Sequence, residues 1–213
     1  MNQNAQTSLS FEREPRSRRG GRRLNAGRKP NGAAASRPHT SRPRLEGLLP
    51  VHVTIRVASH VYNLRSRRSF AVVGRAIGIA AERFGVRILE FSVQGNHMHL
   101  VVEAAAHEAL SRAMQGFSIR VAKGLNAMMK RRGRVLADRY HARILESRAD
   151  AHRVVRYVRN NYRKHMAQIG RPLPTTFVDP FASPRADIEL PAPRTSLLHR
   201  AREGPVKGLA FVR

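Results

Sequence analysis

His97 and His99 are separated by one residue in the stretch HMHLVVE, residues 97 to 103, which is otherwise mostly apolar. Alternate side chains of an extended strand share a face, so both imidazoles project to one side while Met98, Leu100 and Val102 project to the other. Two imidazole nitrogens placed in this way are close enough to chelate one divalent ion. Downstream, Tyr157 and Asn161 lie four residues apart in AHRVVRYVRNNYRKH. In a helix that spacing sets one side chain a turn above the other. The Asn161 amide oxygen then completes a His, His, amide ligand set, and Tyr157 presents its phenol to whatever anion the cation holds.

Phosphodiester cleavage is the chemistry this combination suits. A phosphodiester is a poor electrophile with a poorly stabilised leaving alkoxide, and Mg²⁺ or Mn²⁺ addresses both defects. A tyrosine oxygen attacking in line gives a covalent phosphotyrosine, which a free 3′-hydroxyl can later reverse. A His-x-His strand alone is more often ordinary surface histidine, and a single helical tyrosine is usually core or surface. The combination carries the reading.

The elements that must position these residues follow from hydrophobic period. LLPVHVTIRVAS, from Leu48, alternates Val51, Val53, Ile55 and Val57 with polar partners, a strand with one buried face. Residues 67 to 84 place Phe70, Val73, Ile77 and Phe84 at helical steps, ending near Gly85. VRILEFSV (86–93) and HMHLVVE (97–103) flank Gln94-Gly95-Asn96 and form a hairpin. Residues 107 to 132 put Leu110, Met114, Phe117, Val121, Leu125 and Met128 on one helical face. YHARILE (140–146) supplies a last strand, and Ser147 to Asp150 resembles a capping box opening a helix to about His165.

The predicted order, β-α-β-β-α-β and then a helix, is an α+β, ferredoxin-like core with an extra C-terminal helix carrying the tyrosine. Two crossover helices cover one sheet face, and the last helix docks on the other. Val154, Val155, Val158 and Tyr162 form its apolar stripe, with Tyr157 and Asn161 along the edge. Residues 49–168 are expected to be the functional domain. Residues 1–48, rich in Arg, Gly, Pro and Ser, are expected to form a disordered basic arm that binds phosphates, and residues 169–213 a proline-interrupted, loosely wrapping tail.

Forty Lys and Arg against fourteen Asp and Glu give a net charge of +26, which points to a polyanion such as nucleic acid. The candidates for phosphate contact are Arg120, Lys123, Lys130, Arg131, Arg132, Arg156 and Arg159. With no cysteine, thiolate metal sites, disulfides and cysteine nucleophiles are excluded. No stretch of about 18 apolar residues is present, so no membrane span is expected. A cytoplasmic, nucleoid-associated location fits.

At GNHMHLVVE read with YVRNN, the sequence resembles the single-tyrosine HUH transposase family, and within it the REP-associated tyrosine transposase branch. The positions that match are Asn96, His97, Met98, His99 and Leu100, with Tyr157 and Asn161, and the resemblance covers roughly residues 50 to 165. It implies His97, His99 and Asn161 as ligands of Mg²⁺ or Mn²⁺, Tyr157 as nucleophile, and single-stranded DNA beside a hairpin as the partner. It also implies a monomer or a homodimer. The chain departs from many relatives in having no tryptophan near the Tyr140 strand.

Tyr162 is set aside as nucleophile because it falls on the apolar stripe, and Tyr140 because no amide or acid follows it at helical spacing. One alternative is a non-catalytic ferredoxin-like nucleic-acid-binding module, although its strands lack the aromatic signature of RNA-recognition domains. Another is a decayed transposase retained as a DNA-binding regulator.

Overall fold

A computed structural model describes residues 45–184 and 187–202. All but the last four residues of the expected basic arm therefore lie outside the described residues. The elements run β1 (Glu46–Arg56), α1 (Arg67–Ala80), β2 (Glu82–Arg83), β3 (Val86–Val93), β4 (His97–Ala106), α2 (His107–Met128), β5 (His141–Ile144), α3 (Arg148–Gln168) and α4 (Ser196–Arg202). The sheet order is β2-β3-β4-β1-β5, with every pairing antiparallel. Setting aside the short β2, this is the ferredoxin-like arrangement, in which each βαβ crossover skips one strand.

The period-2 alternation sorts residues between two cores. Val51, Val53, Ile55, Phe91, Met98, Leu100 and Val102 face α1 and α2, where Val73, Ile77, Met114, Phe117 and Leu125 meet them. The opposite face holds Leu89, Val101 and Leu145 against Ala151, Val154, Val155 and Val158 of α3. Burying a side chain of this size contributes roughly 1.5–3 kcal/mol, so both faces stabilise the sheet.

Helix α1 is shorter than its periodicity suggests. Glu82 and Arg83 leave the helix to pair with Arg87 and Val86, and Phe84 and Gly85 make the turn with φ of 55° and 73°. Two successive positive φ values suit a tight two-residue hairpin. Phe84 is consequently exposed and does not close the helix's apolar face. Helix α2 likewise stops at Met128, four residues early, and Lys130 follows with a φ of 53°.

The segment after α3 is firmly attached. Arg65 holds Asp179 through two hydrogen bonds of 3.0 and 2.8 Å, while its guanidinium lies 3.5 Å from the Tyr162 ring centroid and 4.5 Å from that of Phe181. Val93 N donates to Phe181 O, and Ser183 N to Phe91 O, covering the free edge of β3. Buried Glu103 then accepts from the backbone N–H groups of Arg194 and Thr195, and α4 packs on α3 through Leu198 and Ala201. The tail expected to wrap loosely thus contributes a helix to the second core.

Candidate active site

Helix α3 begins where the sequence places its cap: the Ser147 hydroxyl accepts from Asp150 N at 3.1 Å. From there its apolar stripe docks on the sheet and fixes what lies beside the stripe. The Tyr157 ring stands edge-on to the His99 ring, with centroids 5.2 Å apart, and 6.2 Å from His52. His97 and His99 lie edge-to-face at 4.9 Å, and His165, two turns beyond Tyr157, approaches His97 at 6.2 Å. One chain supplies all of these groups.

Hydrogen bonding sets the histidine tautomers. Nδ1 of His97 lies 2.8 Å from Asn96 Oδ1, an oxygen that only accepts, so Nδ1 carries the proton and Nε2 keeps its lone pair. Nδ1 of His99 lies 3.1 Å from His52 Nε2 and 3.2 Å from Thr54 Oγ1. With both partners at Nδ1, the buried Nε2 of His99 is left with none.

Asn161 is 1% exposed, and neither of its amide atoms has a hydrogen-bond partner. Leaving a buried polar atom unpaired costs about 1–3 kcal/mol. The unpaired atoms of His99 and Asn161 are buried polar groups of the kind that a ligand can satisfy. The donor set of two imidazoles and an amide oxygen fits Mn²⁺ or Mg²⁺, given water or phosphate oxygens in the remaining positions. Among the described residues, no three His, Asp or Glu side chains converge well enough to hold a metal ion by themselves, so the amide is essential to this assignment.

Electrostatics favour the ligating forms. Burial, with smaller contributions from neighbouring cations and imidazoles, lowers His97 to about 4, His99 to about 3 and His52 to about 4. All three are neutral at physiological pH, as metal ligation requires. Burial raises the Tyr157 phenol above its ordinary value, and the nearby Asn161 side chain acts weakly in the opposite direction. That approach falls short of a hydrogen bond, since both amide atoms remain unpaired.

Tyr140 directs its hydroxyl to Ser111 of α2, 3.3 Å away, on the other side of the sheet. Tyr162 is occupied by Arg65.

The cationic candidates scatter. Arg120 and Lys123 belong to α2, which the sheet separates from Tyr157, whereas Lys130, Arg131 and Arg132 lie in the loop after α2. Arg156 is exposed on α3. Arg159 does not point to solvent as an unengaged phosphate ligand. Its guanidinium grips fully buried Glu90 at 2.5 and 3.1 Å, because a carboxylate under the sheet needs a counterion. Arg202 of α4 adds a bond of 2.8 Å to the same carboxylate.

His52, Thr54, His165 and Glu90 were not singled out from the sequence. Alternation along β1 already sets His52 and Thr54 opposite Val51, Val53 and Ile55. Only the pairing of Thr54 with His99 and of His52 with Val101 brings them to the site.

The family model described as "Transposase IS200 like" matches residues 50–161. A solved structure described as a REP-associated tyrosine transposase bound to a REP hairpin is 16% identical, with a TM-score of 0.49, and the match covers 60% of this chain and 74% of that one. A candidate transposase from Deinococcus radiodurans R1 is 11% identical, with a TM-score of 0.40, over 59% of this chain and 95% of that one. No curated protein matches the chain.

Proposed function

Because this chain belongs to the IS200-like transposase family, we propose that it cleaves and rejoins single-stranded DNA through a covalent phosphotyrosine at Tyr157. In this reading His97, His99 and Asn161 hold Mg²⁺ or Mn²⁺. The observation that carries the proposal is the closeness of the Tyr157 phenol ring to His99, beside three buried polar atoms that lack partners. When bound, the cation supplies Lewis-acid polarisation of the scissile phosphate and stabilises the departing oxygen.

The chain's own residues do the rest. Helix α3, clamped to the sheet by its apolar stripe and by Arg159 on Glu90, holds Tyr157 over the phosphate. The phenol oxygen forms the new bond to phosphorus as the bond to the 3′ oxygen breaks. The phenolic proton is lost to solvent, and the leaving oxygen takes one up. A phenol is protonated at neutral pH and burial raises it further, so cleavage should quicken as pH rises toward the alkaline range. The sequence resemblance to the REP-associated branch adds hairpin-containing repeats as the target.

The test incubates the protein with a labelled hairpin-flanked single strand and Mn²⁺, and looks for a covalent adduct on a denaturing gel. The adduct should form with wild type, vanish with EDTA, and be absent in Tyr157→Phe while DNA binding survives. An adduct persisting in that variant would assign the nucleophile elsewhere. Tight binding by wild type with no adduct would leave a non-catalytic DNA-binding module as the better reading.

A further inference from the structure

Resting on the reading of this chain as a nuclease of single strands, we infer that the open part of the sheet face beside Tyr157, floored by Thr54, Arg56 and His141, is the track along which the DNA strand reaches the site. Strand register puts these residues on the α3 side: Thr54 pairs with His99 and with His141, and Arg56 pairs with His97. Arg56 and His141 are exposed and Thr54 is half-buried.

Helix α3 lies obliquely over this face. At its start it is tied to the end of β5: Leu145, just past that strand, shares a buried cluster with Ala151 and Val154, and Arg143 holds Asp150 at 2.7 Å. From its middle turns it lies over β3 and β4, where Arg159 bonds Glu90 and, further on, His165 approaches His97. The result is a wedge, closed near Leu145 and open toward Arg56, with Tyr157 on its inner wall and His52 on its floor beside Thr54. Its floor is two strands wide, about 10 Å at the usual strand spacing. A floor of that width matches one nucleic-acid strand better than a duplex.

Charge selects the occupant. Among the described side chains, the carboxylates that β3, β4 and α3 contribute on this side are engaged: Glu90 with Arg159 and Arg202, Asp150 with Arg143 and Arg153, and Glu103 with the backbone N–H groups before α4. Among the described residues Arg56 is exposed and enters no ion pair, so it presents its charge to a phosphate. Thr54 offers a hydroxyl, and His141 a ring for hydrogen bonding or stacking. The track lies across the sheet from the α2 cations that sequence reading favoured.

The experiment measures fluorescence anisotropy of a labelled oligothymidylate with the full chain in EDTA, where no adduct forms. Arg56→Gln should weaken binding about tenfold, the loss of one charge-assisted contact. It should also flatten the slope of log affinity against log salt by about 0.7. His141→Ala should weaken binding with the slope unchanged, and Arg56→Lys should restore the slope. Arg75→Gln and Arg112→Gln, on the helical layer across the sheet, should change neither quantity. Wild-type affinity and slope in Arg56→Gln, an equal loss in the Arg75 and Arg112 variants, or equal competition by a blunt duplex would each overturn the track. If these variants behave as wild type while the adduct still forms, the track fails and the nuclease reading stands. If they weaken binding but no adduct ever forms, the reverse holds.

Discussion

Glu90 offers the sharpest test of how the second core is held. Its carboxylate is fully buried and accepts from Arg159 of α3, Arg202 of α4 and the Ser183 hydroxyl, while the two arginine side chains are 32% and 25% exposed. Removing either arginine leaves the other, so Arg159→Ala and Arg202→Ala should each cost about 1–2 kcal/mol. Removing both strands the carboxylate, and the double variant should lose about 3–5 kcal/mol, the cost of breaking a buried pair. At about 2–4 °C per kcal/mol for a chain of this size, its melting temperature should fall by roughly 6–20 °C. Glu90→Gln should change sign with background. In wild type it removes the counterion of two guanidinium groups and destabilises; in the double-alanine variant it neutralises an unpaired buried charge and stabilises. Thermal unfolding followed by circular dichroism, with urea titration for free energies, reads all of these. Destabilisation by Glu90→Gln in both backgrounds would refute the assignment of this cluster as the electrostatic tie between β3 and the α3–α4 pair.

The same substitution should have opposite effects at two helical glycines. A Cβ on Gly124 of α2 would lie 2.4 Å from Val72 Cγ1 of α1, so Gly124→Ala should destabilise by about 1–2 kcal/mol, overpacking exceeding the gain in helix propensity. Gly78 has nothing within 4 Å of that position, and Gly78→Ala should stabilise by about 0.5–1 kcal/mol; urea midpoints compare the two. His52→Phe should lower Mn²⁺ affinity about tenfold by freeing the His99 ring, and adding Thr54→Val should bring the loss toward about a hundredfold, read by electron paramagnetic resonance of free Mn²⁺. An unchanged affinity in the double variant would show that His99 is oriented by packing alone. For pH, the unfolded chain takes up protons on His52, His97 and His99 as pH falls through 6.5, but the folded site refuses them until about 4, 4 and 3. More protons on the unfolded state means stability falls with falling pH, so the urea midpoint should drop from about pH 7 down to about pH 4, less so in His52→Phe.

Local spacing made much of this legible. Alternation in HMHLVVE placed His97 and His99 on the face away from Met98, Leu100 and Val102, and the i, i+4 relation of Tyr157 and Asn161 placed both beside the α3 stripe, because helix and strand periods are backbone properties that any residue run carries with it. Charge composition likewise pointed to a polyanion without reference to shape. Partnership across the sheet was not legible, since it depends on register between segments far apart in the chain. His52 reaches His99 only because β1 pairs with β4 in one register, Arg159 turns from free surface cation to counterion of a buried carboxylate only because Glu90 lies beneath it, and Arg56 gains its role only because α3 crosses the sheet obliquely. Sequence periodicity thus determined which side chains share a face, and tertiary packing decided which faces meet and which charges solvent still reaches.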